Sequence, residues 1–149
     1  MKIICQNKQV GFKYQLTEKF EAGIILLGPE VKSLREGKAN LRESYAVFKG
    51  EELYLLNCHI TPYKNARVEE LDPKRNRKLL LHKTELERLL GKIKEKGLTL
   101  VPTKMYFNEK GRAKVEIALA KGKTGRDKRD TIKKREADRE LRRVLKKHS

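Results

Sequence analysis

LTLVPTKMYFNEKGRAKVEIALA, running from Leu98 to Ala120, is the stretch that decides the fold. Leu98–Phe107 and Lys114–Ala120 are strand-like runs, and Asn108-Glu109-Lys110-Gly111 between them is turn material. Two such runs joined by a short, glycine-containing connection read as a β-hairpin. Upstream, Ala46–Lys49 and Leu53–Leu56 read as a second hairpin around Gly50-Glu51-Glu52. Lys13–Leu16 and Glu21–Leu27 are further extended segments, the second holding the β-branched pair Ile24–Ile25.

Two helices interrupt these strands. Gly28-Pro29 opens a short one, with proline suited to the first helical position and Gly37 to the position beyond the end. Val31 and Leu34 are its expected buried pair. The longer helix follows Thr84-Glu85-Leu86-Glu87, a capping-box pattern in which the Thr hydroxyl and Glu carboxylate satisfy reciprocal free backbone N–H groups. Leu86, Leu89, Leu90 and Ile93 recur at i, i+3, i+4 and i+7, a stripe that reads as core packing, and Gly97 ends the helix. Short strands with few helices over Met1–Ala120 predict a mainly β domain, a small antiparallel barrel or sandwich.

Beyond Ala120 the composition changes. Lys121–Ser149 holds 13 Lys/Arg against 5 Asp/Glu, a net charge of +8. Its residues from the hydrophobic set are only Ile132, Ala137, Leu141, Val144 and Leu145, too few to offset the entropy of ordering the segment. The division is therefore residues 1–120 as a folded domain and residues 121–149 as a basic tail, disordered when free. Ala137, Leu141, Val144 and Leu145 share a narrow helical arc, so a partner surface would make the tail a helix.

Charge names the partner class. The whole chain carries +17, and residues 1–120 alone keep 24 basic against 15 acidic side chains. Nucleic acid leads, because two basic surfaces can share one polyanion. A membrane is disfavoured: the tail has no aromatic residue, and no apolar run approaches the roughly 20 residues of a span. No signal peptide is read, since only Ile3, Ile4 and Cys5 follow Lys2 before polar residues. Cys5 and Cys58 form no CxxC and read as reduced thiols of a cytoplasmic protein.

Enzyme signatures are poor. His59, His82 and His148 form no HExxH and no metal cluster with the cysteines, so no metal or cofactor is expected. Gly122-Lys123-Thr124 has the look of the end of a phosphate-binding loop, but Ile117 stands where the leading glycine belongs. Glu51-Glu52 and Glu69-Glu70 read as solvated turn charges. Basic clusters are richer. Lys74, Arg75, Arg77 and Lys78 follow Asp72-Pro73 in one loop-like run suited to phosphate contacts, or to plain solvation. Tyr14, Tyr45, Tyr54, Tyr63 and Tyr106 are candidates for base stacking or for packing.

Ordered local strings sharpen this class. They are Asn7-Lys8, Phe20-Glu21-Ala22-Gly23, Glu30-Val31-Lys32-Ser33-Leu34-Arg35, Gly37-Lys38-Ala39-Asn40, Ser44-Tyr45, Ile60-Thr61-Pro62-Tyr63, Arg77-Lys78-Leu79-Leu80-Leu81-His82, Ala120-Lys121-Gly122-Lys123 and Asp127-Lys128-Arg129. In this order, from about Asn7 to Lys147, the chain closely resembles the bacterial SsrA-binding protein (small protein B) family.

The resemblance implies an oligonucleotide-binding-type (OB-like) antiparallel β-barrel with flanking short helices, and no catalysis. It implies binding to the tRNA-like domain of transfer-messenger RNA, delivery with EF-Tu to stalled ribosomes, and trans-translation. The family's RNA-contacting positions fall on Asn7, Glu21 and Leu80, while Lys8, Arg35, Lys38, Arg75, Arg77 and Lys78 would add salt-sensitive affinity. Glu21 can accept from base N–H groups or ribose hydroxyls; a surface strand charge is the plain alternative. Leu80 can pack on a base or sugar face; core burial is its alternative. The tail is implied to enter the small-subunit decoding site and message channel through Arg126, Asp127, Lys128, Arg129, Ile132, Lys133 and Arg135. Arg126 stands where the family often has His or an aromatic, and a guanidinium plane can also stack. A ribosomal or initiation-factor-like barrel binding ribosomal RNA shares the composition but does not explain the ordered strings.

Overall fold

The computed structural model describes residues 1–62 and 72–122. Along the chain these form β1 (Lys2–Gln6), α1 (Val10–Lys13), β2 (Tyr14–Ile24), α2 (Gly28–Arg35), β3 (Ala39–Asn40), β4 (Tyr45–Lys49), β5 (Glu52–Leu56), β6 (His59–Ile60), β7 (Arg77–Leu80), α3 (Lys83–Lys96), β8 (Thr99–Phe107) and β9 (Ala113–Gly122). The readings of Tyr63, of the Glu69-Glu70 pair and of the tail from Lys123 onward, including its helix and its seven decoding-site positions, lie outside the described residues.

The Leu98–Ala120 hairpin forms as β8 and β9. Its turn is held by the Asn108 side chain, which accepts from Lys110 N at 3.0 Å and Arg112 N at 2.9 Å. Gly111 completes the turn at φ 74°, a left-handed conformation that costs glycine nothing. Val115, Ile117 and Leu119 alternate inward along β9 and are buried.

Among the described residues all pairings are antiparallel, and the main sheet closes into a ring. β8 pairs β9, β9 pairs β2, β2 pairs β7, β7 pairs β5 and β5 pairs β4. β4 returns to β8 through Ala46 opposite Leu100. β1 lies along the far half of β8, from Gln6 opposite Lys104 to Lys2 opposite Phe107. Closure satisfies edges that would otherwise expose unpaired backbone. β3 and β6 form a separate short ladder. Inside the ring sit Phe20, Ala22, Leu53, Leu55, Leu79, Met105 and Ile117, with Leu34 of α2 and Leu89 of α3 packed onto the same core. The described residues are thus mainly antiparallel sheet with few short helices, as the strand-rich sequence of residues 1–120 leads one to expect.

Three local differences have physical causes. Lys13–Leu16 and Glu21–Leu27 are not two strands; β2 runs unbroken from Tyr14 to Ile24. Its charged middle, Glu18-Lys19, has weak strand propensity, but β9 pairs with the strand from Tyr14 to Gly23, absorbing a bulge between Leu16 and Glu18. The long helix starts earlier than the Thr84 pattern predicts. His82 is its cap residue and Glu85, not Glu87, reaches back to His82 N at 3.3 Å. Leu86, Leu89 and Ile93 of the leucine stripe pack on the core as read, Leu90 is half-buried and outside that cluster, and Gly97 ends the helix at φ 61°. In α2, Leu34 is buried but Val31 only half so; the other buried side chains are Glu30 and Ser33.

Both cysteines are free. Burial pushes the Cys58 thiol up to about 12 and the Cys5 thiol up to about 11, so neither is a ready thiolate.

Candidate RNA-binding face

Strand register assembles a site that no single segment contains. Leu80 on β7 lies opposite Gly23 on β2, Gly23 opposite Lys114 on β9, Lys114 opposite Tyr106 on β8, and Tyr106 opposite Ile3 on β1. One row over, Glu21, Glu116, Lys104 and Gln6 line up in the same way. The residues between these rows, Ala22, Val115 and Met105, belong to the core, so both rows face outward.

Gly23 is the floor where the rows converge. A Cβ there would lie 3.4 Å from Leu80 Cβ and 3.7 Å from Lys114 Nζ. Above it opens a cleft of about 480 Å³ lined by Glu21, Gly23, Leu80, Leu81, His82, Glu85 and Lys114. A second cleft of about 360 Å³ shares Gly23, Leu80 and Lys114 and adds Leu26, Val31, Phe107 and Arg112. Leu80 is 49% exposed, which settles its alternative reading: it is a surface leucine, not a core one.

Glu21 is ordered by its own sheet. Its carboxylate accepts a hydrogen bond from the Tyr106 hydroxyl. Burial first, then the Glu21 carboxylate, pushes the Tyr106 phenol far above its usual range, so it stays a donor at neutral pH. In the neighbouring row the Thr103 hydroxyl donates to Glu116, and Lys104 Nζ stands 5.7 Å from the Tyr106 ring centroid.

The remaining sequence-predicted residues scatter. Asn7 is a structural bracket: its Nδ2 lies 3.2 Å from Leu41 O and 3.3 Å from Pro102 O. It borders a different cleft, beside Lys13, Tyr14 and Tyr45, and does not join Glu21 and Leu80. Lys8, Arg35 and Lys38 are exposed, Lys38 beside Glu36 at 3.0 Å. Lys78 faces outward on β7 and meets Glu52 at 3.1 Å.

Arg77 differs most from its sequence reading. Its side chain is 0% exposed, and it contacts Glu30 at 2.6 Å while donating to Cys58 O at 2.6 Å and Pro73 O at 2.9 Å. A phosphate cannot reach it there. Arg75 binds the other Glu30 oxygen at 2.6 Å and remains 26% exposed. Burial pushes the Glu30 carboxyl up, but hydrogen bonds from Arg75, the Leu27 N–H and Arg77 together outweigh it and hold the group below the usual carboxylate range.

Lys114, Arg112, His82 and Tyr106 were not singled out together by the sequence. Alternation in β9 puts Lys114 and Glu116 on one face, but their neighbours across the sheet follow from register, which no local pattern encodes. Among the described residues, no helix is long and apolar enough to cross a membrane.

A closed antiparallel ring with an ordered carboxylate, an exposed leucine and flanking lysines, in a chain of net charge +17, defines a β-rich nucleic-acid-binding protein. More particularly, the chain belongs to the SmpB protein family, whose model matches residues 4–147. It is 54% identical over 142 residues to the SsrA-binding protein of Symbiobacterium thermophilum, covering 95% of this chain and 90% of that one. To the SsrA-binding protein of Thermosipho melanesiensis it is 55% identical over 146 residues, covering 98% and 99%. A solved chain from work on tmRNA–SmpB and its journey to the center of the bacterial ribosome matches with a TM-score of 0.69 at 50% identity, over 86% of this chain and 93% of that one.

Proposed function

We propose that this protein is a non-catalytic adaptor that binds the tRNA-like domain of transfer-messenger RNA and brings it to stalled ribosomes for trans-translation. The observation that carries the reading is the meeting of Glu21 and Leu80 at one outer cleft. They are distant in sequence, and family resemblance makes both RNA-contacting positions. A carboxylate cannot hold a phosphate, but it can accept from base N–H groups and ribose hydroxyls, while exposed Leu80 covers an apolar base or sugar face. Lys104, Lys114 and Arg112 offset the repulsion between Glu21 and the RNA backbone.

In the same proposal EF-Tu accompanies the charged RNA, the setting is the cytoplasm, and the tail reads the empty decoding site and message channel through Arg126–Arg129, Ile132, Lys133 and Arg135. Its +8 net charge suits a channel walled by RNA. A chain truncated after Lys121 keeps most RNA affinity but loses peptide tagging on stalled ribosomes. Full tagging by the truncated protein contradicts this division of labour. At fixed salt, the full chain prefers transfer-messenger RNA over a ribosomal RNA fragment of equal length. Equal affinity for the two favours a general ribosomal-RNA binder instead.

A further inference from the structure

We infer that Tyr106 is a positioning residue for RNA recognition: it fixes the Glu21 carboxylate in the orientation that meets the RNA. The inference rests on the reading of Glu21 as an RNA contact and adds the group that makes this contact specific.

Tyr106 is on β8 and Glu21 on β2, and both strands flank β9. Tyr106 lies opposite Lys114 and Glu21 opposite Glu116, so the bond between them crosses β9 diagonally. Tyr106 faces outward in the row of Lys114 and Ile3, yet it is only 6% exposed. An outward ring so covered lies along the sheet instead of standing away from it. Lys104 Nζ, 5.7 Å from the ring centroid, borders it from the same strand.

The phenol engages Glu21 through Oε2, which leaves Oε1 to receive a donor from outside. A glutamate on a bare strand would lose its rotamer freedom on binding RNA; here Tyr106 has already restricted it. The pairing is also with a neutral hydroxyl, so the negative charge of Glu21 survives and turns away phosphate oxygens. The ligand this geometry selects is an N–H-bearing base edge or a ribose hydroxyl of an unpaired nucleotide, placed against Leu80 across Gly23.

The test uses the full chain and intact transfer-messenger RNA at fixed salt, with affinities expressed per folded molecule. Glu21→Ala should bind about tenfold more weakly and Tyr106→Phe about fivefold more weakly. The double variant should bind no more weakly than Glu21→Ala alone, because the hydroxyl acts only through the carboxylate. The slope of log Kd against log salt should stay unchanged in all three, since no phosphate contact is removed. Thr103→Val is the control: it breaks the neighbouring hydroxyl–carboxylate bond to Glu116 and should leave RNA affinity alone. Parental affinity in Tyr106→Phe, losses that multiply in the double variant, or an equal loss in Thr103→Val each overturns the positioning role. Parental affinity in Glu21→Ala overturns the underlying contact as well, which separates the two failures.

Discussion

Two glutamates, Glu30 and Glu21, show what the fold does with charge. Glu30 has a side chain 1% exposed and two arginines at 2.6 Å. Its charge is cancelled by its own chain, and it clamps α2 to Arg75 and to Arg77 of β7, which itself donates to Pro73 O. Glu21 is exposed and its resolved partner is the hydroxyl of Tyr106, which orders it without neutralising it. Charge paired with charge inside the fold holds the fold; charge paired with a neutral donor on the surface stays available to a ligand. The Asp72–Lys78 run divides along the same line, with Arg77 inside and Arg75 and Lys78 both half-exposed.

The largest expected effect breaks the interior half of this comparison. Glu30→Ala leaves the Arg77 guanidinium buried without its carboxylate, which should cost about 3–5 kcal/mol in urea unfolding. RNA affinity per folded molecule should not change. The pH dependence follows from the lowered Glu30 carboxyl. A group whose folded value lies below its unfolded value stabilises fully above the unfolded value and loses this as pH falls through the folded one. Its ordinary value is 4.5, so the Glu30 contribution should be intact at neutral pH and drain away below about pH 4.5. Urea midpoints measured from about pH 6 to about pH 3 should fall less steeply in Glu30→Gln than in the parent.

Adjacent leucines sharpen the contrast between inside and outside. Leu79 is 2% exposed and Leu80 49%. Leu79→Ala should cost about 2–5 kcal/mol of stability, read by the same unfolding curves. Leu80→Ala should cost under about 1 kcal/mol and instead weaken RNA binding. The smallest effect belongs to Glu18, which meets Arg88 at 2.8 Å and the Lys92 ammonium at the sheet–helix surface. Lys92 chiefly holds its carboxyl below the usual range, but the pair is solvent-screened. Glu18→Gln should change stability by at most about 1 kcal/mol, with the difference shrinking as salt is raised.

How much of this was legible in the sequence varied with how local the signal was. The Leu98–Ala120 hairpin and the Leu86–Ile93 stripe carry their own periods; the hairpin appears as read, and so does the stripe apart from Leu90. Glu21 and Leu80 came from ordered strings, not from any pattern of physics. That they share a cleft was invisible, because it depends on β2 pairing with both β7 and β9. The Thr84 capping box failed because His82, where β7 gives way to α3, offers an equivalent start two residues earlier. Arg77 misled for a related reason. A basic run looks solvated until one of its members finds a buried carboxylate, and Glu30 lies far from it in sequence.

The most direct test of the central claim is the affinity of Glu21→Ala for transfer-messenger RNA, per folded molecule at fixed salt, set beside its unfolding midpoint. About a tenfold loss of affinity with the midpoint unchanged is expected, the reverse of Glu30→Ala. A lowered midpoint with parental affinity per folded molecule would make Glu21 a structural residue and contradict the account.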